Sequence, residues 1–326
     1  MPVPRGRSGQ ILPDPAVTVV LRLDEPGLFT TVQDLGRPWA MSAGVQSGGA
    51  MDRFAHSAAN LLVGNDPGHA ALECTISGPQ LVAEHACLIA LTGADFDPHI
   101  NGEPVPGWTS LFLGAGDRLT FGARRAGARL YIAVAGGIEA DRWLGSLSTN
   151  VLAARGGKQG RPLKSGDTIS VAGDPRRPAV SGRHMPEQLR PEYGDHALLA
   201  ISGPHAKRLT ADGRRILFDS PYRISRDADR MGYRLEGSPL QTSGDELLSF
   251  GLVPGVVQVP RGGQPILLMA DHQTAGGYPV VATVISASLP VAAQLLPGDE
   301  MRFIEVTLER AQRRREALNS ALESLR

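Results

Sequence analysis

Only two cysteines, Cys74 and Cys87, occur in 326 residues, and both stand in apolar surroundings. A chain of this length can build a core without cross-links, and the cysteine spacing fits no metal site. Buried free thiols are the expectation, not a disulfide framework. Net charge is absent as well: 33 basic residues balance 33 acidic ones. No global field draws the chain to nucleic acid or to an anionic membrane. Lysine is nearly missing, with Lys158, Lys164 and Lys207 alone among the basic residues that are not arginine. No long apolar run is uninterrupted. The most membrane-like stretch, Tyr278 to Leu296, is broken by Pro279, Ser286, Ser288, Pro290 and Gln294, and reads as a strand followed by a short helix. The opening Met1-Pro-Val-Pro-Arg-Gly-Arg has charge but no apolar signal-peptide core. A cytoplasmic protein that meets no membrane is therefore expected. Gly-x-Ser-x-Gly, a Walker sequence and metal-ligand spacing are also missing, so no serine-hydrolase elbow, phosphate loop or metal site is read.

Glycine and proline are plentiful, at 39 and 25, and are spread throughout. Many short strands joined by turns follow from that pattern. Strands are read at Val17–Leu23, Cys87–Thr92, Ser110–Leu113, Arg118–Phe121, Arg129–Val134 and Thr168–Val171. Further ones are read at Ala197–Ile201, Glu246–Phe250, Val256–Val259 and Pro265–Ala270. Helices are fewer. Asp52 can cap one whose apolar residues Phe54, Ala58, Leu61 and Leu62 share a face. Ser288 opens a second, Gly203 to Ala211 reads as a third, and Thr307 to Leu325 is the longest. Ile76-Ser-Gly-Pro79 recurs as Ile201-Ser-Gly-Pro204, and Gly-Asp turns recur at 116, 166, 244 and 298. A Pro- and Arg-rich stretch separates the copies. The expected organisation is a β-rich unit at 15–173, a linker at 174–193, a second β-rich unit at 194–304 and a C-terminal helix at 305–326. The fold class is mainly β with a few helices.

Chemistry concentrates in a few places. Met269-Ala-Asp-His-Gln-Thr-Ala-Gly-Gly-Tyr-Pro279 follows a short apolar strand and sets Asp271, His272, Gln273 and Thr274 before a turn on Gly276 and Gly277, with Tyr278 next. Those side chains together can donate, accept and shuttle protons. Gln33-Asp34-Leu-Gly-Arg37 places a guanidinium, able to grip a carboxylate or phosphate, after a tight turn. Ala43 to Asp52 holds Ser47, Gly48 and Gly49 before a helix N-terminus, where backbone N–H groups can approach an anion. Gly145-Ser-Leu-Ser-Thr149 and Gly156-Gly-Lys-Gln-Gly-Arg161 join hydroxyls to two cations. Arg230 lies between Asp229 and Met231, and Gln258 and Arg261 can line the same mouth as Asp271.

In this order, several blocks of the chain resemble one family. They include Val32-Gln-Asp-Leu-Gly-Arg-Pro38, Gly49-Ala-Met-Asp52, Leu72-Glu-Cys-Thr-Ile-Ser-Gly-Pro79, Asp229-Arg-Met-Gly-Tyr-Arg-Leu235, Pro254-Gly-Val-Val-Gln-Val-Pro260 and the Asp271 segment. The family is that of the 5-oxoprolinase C subunits, the second subunits of allophanate hydrolase and the biotin-dependent carboxyltransferases, with a kinase-inhibitor antagonist among its members. The resemblance implies a cyclophilin-like β-barrel in each half. It also implies one component of a hydrolase, inactive alone. Its partners on 5-oxoproline would be a kinase-inhibitor-like B subunit plus a lactam-hydrolysing A subunit. Glutamate would be the product, and ATP would bind within the complex. A carboxyltransferase for a urea- or amide-like acceptor, using carboxybiotin held in trans, is the alternative. A non-enzymatic regulator of a histidine-kinase inhibitor is a third reading. No lysine has a methionine neighbour, so the chain carries no covalent biotin. The candidate catalytic residues are Arg37, Arg230, Asp271 and His272. Gln33, Asp34, Ser47, Gly49, Asp52, Gln258, Gln273, Thr274, Gly277 and Tyr278 are the candidate substrate contacts, with no metal ligand. The family's usual pattern has a serine near Gly48, which leaves Ser47 as the possible replacement.

Overall fold

The computed structural model describes residues 17–176, 181–244 and 247–326. The expected start of the first unit at 15, part of the linker, and Asp245 and Glu246 lie outside these. Two sheets form the N-terminal half. The five-stranded sheet runs in the order Phe29–Gln33, Ala71–Thr75, Ala126–Val134, Cys87–Asp95, Thr109–Leu113. The seven-stranded sheet faces it, with Thr18–Glu25 paired between Thr168–Val171 and Gln80–Ala83. Leu21, Leu23, Leu81 and Ile169 from one sheet meet Leu72, Ile89, Leu91 and Ile132 from the other in a single core. Coverage explains the sequence patterns. Cys87–Asp95 is central and covered on both faces, so its run is apolar almost throughout and eight of its nine residues are buried. Gln80–Ala83 has one covered face and alternates.

The C-terminal half closes on itself. Its strands run Ala197–Ser202, Val280–Val284, Val256–Gln258, Ile266–Leu268, Gly232–Glu236, Tyr222–Ile224 and Glu300–Glu305. Parallel pairing of the last strand with the first completes the barrel. Closure removes the open edges that short strands would otherwise expose. Leu198, Tyr222, Tyr233, Val257, Leu267 and Phe303 fill its centre. The mainly β class expected from the turn-rich sequence is what the chain adopts.

Four helices matter to the site: α1 (Arg53–Leu62), α2 (Ala211–Asp219), α3 (Leu289–Ala293) and α4 (Leu308–Glu323). Asp52 caps α1, its carboxylate accepting the Ala55 N–H at 2.9 Å. Thr307 caps α4. Leu318, Ala321, Leu322 and Leu325 dock α4 onto α1 and the outer face of the five-stranded sheet. The C-terminal end of this segment is therefore covered within the chain, while Leu308 at its start is exposed. One helix is shifted from its expected place. Gly203 to Ala211 holds only a 3-10 turn at Ala206–Arg208, and α2 begins after it. Thr210 supplies the cap by accepting the Gly213 N–H at 3.0 Å, while Gly203 is pressed against the backbone of Val280–Ala282. Ser288 stands at the start of α3, but its hydroxyl accepts the Leu199 N–H at 3.2 Å instead of capping.

Candidate functional site

Arg230 ties the two halves together. Its Nε and Nη2 donate to the Asp271 carboxylate at 2.8 and 3.2 Å, Nη2 donates to the Gly49 carbonyl at 2.6 Å, and Nη1 donates to Glu73. Glu73 is wholly buried in the strand Ala71–Thr75. Its other oxygen accepts the Met51 N–H at 2.8 Å and the Tyr131 hydroxyl at 2.7 Å. Burial pushes the Glu73 carboxyl up, but Arg230 and Arg129 outweigh it and hold the group below the usual carboxylate range. Burial likewise opposes charge on Arg230, and Asp271 and Glu73 restore it. Both ions are thus charged, and the planar fork of Arg230 is satisfied on two sides at once.

Arg230 and Asp271 line a cleft of about 480 Å³ between the halves. Gln46 and Asn150 stand beside them, joined by a 3.2 Å hydrogen bond, and Gln46 donates to the Asp271 carbonyl. Ile76, Val151, Leu152, Met231 and Leu296 give the cleft apolar walls. A few converging polar groups in an apolar concavity are what a small-molecule site requires.

Arg37 approaches from the far side of the same loop. It is fully buried, lies over the Trp143 ring at 4.8 Å, and donates from Nη2 to the Ser148 carbonyl at 2.5 Å and the Ser146 hydroxyl at 3.3 Å. Its Nη1 has no partner among the described residues. A side chain begun at Gly48 would lie 3.1 Å from that nitrogen and 3.6 Å from Asp271 Oδ1, so Arg37 and Asp271 converge on Gly48. Gly48 and Gly49 have φ of +61° and +92°, and Gly49 lies so close to the Gly36 backbone that a Cβ would meet it at 2.7 Å. Ser47 does not fill the position of the missing serine: its hydroxyl donates to the Ala270 carbonyl at 3.3 Å.

The remaining candidates divide. Asp34 is consumed within the N-terminal half, accepting the Ser146 and Ser148 hydroxyls at 2.7 and 2.5 Å and the Gly36 and Leu147 N–H groups at 2.7 and 2.6 Å. The Gly145–Thr149 serines therefore orient an acid and seat Arg37 instead of meeting a ligand. Arg161 forks onto Asp167 at 2.7 and 2.9 Å. Gln33 is buried and donates to Thr31 at 3.0 Å. Gln258 donates to the Tyr278 carbonyl and accepts from Gln273, each at 3.3 Å. Neither Thr274, Gly277, Tyr278, Gln258, Gln273 nor His272 lines the cleft. His272 is buried, its Nδ1 against the Gln273 carbonyl at 2.7 Å and its Nε2 unpartnered among the described residues, and burial lowers its pKa. Glu73, Tyr131, Gln46 and Asn150 were not singled out by sequence reasoning. A lone acid in the apolar block Ala70-Ala-Leu-Glu-Cys74 was the one signal for Glu73.

Asp52 extends the junction. Besides capping α1, it accepts the Tyr193 hydroxyl at 2.7 Å and the Gln294 amide at 2.9 Å, and its own N–H donates to Tyr131 at 2.8 Å. Burial raises its pKa to about 6, against these hydrogen bonds. A carboxyl with a raised folded pKa binds more protons folded than unfolded. Its contribution to stability is full below the unfolded value of 3.8 and declines as pH rises through about 6. The span corresponds to about 3 kcal/mol. In urea unfolding, Asp52→Asn should therefore gain on the unsubstituted chain between pH 5 and pH 7.5. A pH-independent difference would show that Asp52 is not the titrating group.

Residues 43–305 match the family model of the carboxyltransferase domain, subdomains A and B. The chain is 39% identical over 308 residues to the C subunit of 5-oxoprolinase from Escherichia coli, covering 94% of this chain and 97% of that one. It is 33% identical over 303 residues to the C subunit of 5-oxoprolinase from Haemophilus influenzae, covering 91% and 94%. The crystal structure of the K. lactis urea amidolyase is similar at a TM-score of 0.87 and 25% identity, over 94% of this chain but 20% of that one. The shared fold, the family model and these near full-length matches agree, and the chain belongs to the carboxyltransferase-domain family.

Proposed function

We propose that this chain is the C subunit of an ATP-dependent 5-oxoprolinase. It acts with a kinase-inhibitor-like B subunit plus a lactam-hydrolysing A subunit to open 5-oxoproline to glutamate. One observation carries the reading: the match to relatives named as the C subunit of 5-oxoprolinase runs nearly end to end in both partners. The urea amidolyase contains the same fold as a fifth of a longer chain. The geometry supports the reading. Arg230 and Arg37 bring two guanidinium groups to the loop at Gly48 and Gly49. Arg230, which lines the cleft, can stabilise negative charge developing on a lactam oxygen, with Arg37 buried behind Gly48. Asp271, fixed by two hydrogen bonds to Arg230, is oriented to move a proton at the cleft. His272, buried and absent from the cleft lining, leaves that proton to Asp271. ATP supplies the driving force within the complex, and the residues of this chain bind and orient the lactam. We place the complex in the cytoplasm. Among the described residues no helix is long and apolar enough to cross a membrane.

The fold likeness to the urea amidolyase favours one second reading, carboxyl transfer from carboxybiotin held in trans to an amide-type acceptor. The deciding assay is ATP-dependent glutamate release from 5-oxoproline, by this chain alone and mixed with its A and B partners. Release in the mixture only is expected. No release from a mixture whose partners are folded and bound would sink the oxoprolinase reading, and bicarbonate-dependent carboxylation of urea would then be the reaction to measure.

A further inference from the structure

A second cavity, of about 410 Å³, opens on the other side of the Ser47–Met51 loop. Its walls come from three parts of the chain. Met51 and Phe54 belong to the N-terminal half, Met269 and Leu289 to the C-terminal half, and Leu318 and Leu322 to α4. These walls are apolar, and among the described residues no aspartate or glutamate lines the space. Two guanidinium groups, Arg53 and Arg315, stand among the lining residues. Arg53 makes no hydrogen bond or ion pair among the described residues, in contrast to Arg230, Arg129 and Arg161. Both guanidinium groups are solvent-exposed, at the rim of the cavity. Two cations at the rim of an apolar concavity with no acidic residue in its described lining favour an anion there. A ligand with several charges would set polar groups against the apolar walls. A single charge at one end of an apolar body matches both features.

We propose that this cavity binds a small apolar monocarboxylate, its hydrocarbon body held between Met51, Phe54, Met269 and Leu322 and its carboxylate at Arg53 and Arg315. Such a ligand would touch both halves and α4 together. It would also press on the loop whose Met51 N–H holds Glu73, and whose Gly48 N–H donates to the Ala270 carbonyl at 3.2 Å. The cavity is distinct from the cleft at Arg230, so the proposal stands apart from the oxoprolinase reading.

The test is calorimetric titration of the full chain with octanoate and, separately, with 1-octanol. Octanoate should bind saturably, one per chain, at least about 10-fold more tightly than the alcohol. Arg53→Gln combined with Arg315→Gln, both at exposed positions, should weaken octanoate about 10-fold or more while leaving the weak binding of octanol in place. Ala287→Trp, which fills the cavity, should remove both. Absence of saturable octanoate binding to the folded chain would overturn the proposal. So would equal affinity for acid and alcohol, or an affinity for octanoate that the double substitution leaves unchanged.

Discussion

Glu73→Ala is expected to lower stability by about 3–5 kcal/mol. The reason lies in what remains. Arg230 keeps Asp271 but loses the buried carboxylate that balances its second edge, and Arg129 loses a nearby counter-charge. The Met51 N–H and the Tyr131 hydroxyl lose their acceptor in a place water does not reach. The urea midpoint reads the effect directly. Glu73→Gln should recover part of it, since an amide oxygen can still accept from Met51 or Tyr131 but cannot offset the charge of Arg230. A loss below about 1 kcal/mol in Glu73→Ala would mean that the junction between the halves does not depend on this ion pair.

Arg230→Lys is expected to cost roughly 100–1,000-fold in kcat/KM of the assembled enzyme, comparable to removing one preorganised donor from an active site. Charge is preserved, so the loss isolates geometry. An ammonium is a point charge and cannot reach Asp271, Glu73 and the Gly49 carbonyl as one rigid fork. Co-elution with the A and B partners should persist, which separates a defect in chemistry from a defect in assembly. Activity within about threefold of the unsubstituted enzyme, with assembly intact, would remove Arg230 from the site.

Much of the fold was legible. Arg118–Phe121 and Thr168–Val171 form strands with the bounds their turns and alternation predict. Asp52 caps α1 where the apolar stripe begins. Local signals suffice there because capping, turn chemistry and one-sided burial are decided within a few residues. The shifted α2 shows the limit: Thr210 and Gly203 compete to set the boundary, and a close approach to Val280–Ala282, invisible locally, settles it.

The site was legible as residues and not as contacts. Asp271 and Arg230 were both singled out as site residues, but the neighbouring Asp229 is the nearer acid in sequence. Asp229 instead accepts the Met231 N–H at 2.8 Å, and Arg230 turns to Asp271 and to Glu73, 157 residues away. Gln294 reaches the cap of α1 from 242 residues away. No periodicity encodes such a pairing, which arises only when the barrel docks on the sandwich. The serines at 146 and 148 show the converse error. Their residue types suit an anion, but Asp34 takes both hydroxyls first.

In the proposed function, this chain completes a 5-oxoproline-opening enzyme through the cleft at Arg230 and Asp271. Asp271→Asn keeps the size of the side chain and removes its charge and its capacity as a base. The most direct measurement is therefore ATP-dependent glutamate release from 5-oxoproline by matched mixtures of the A and B partners with the unsubstituted chain or with Asp271→Asn. Release is expected with the former and a loss of at least roughly 100-fold with the latter, from complexes of the same composition. Equal release from both mixtures would contradict that reading.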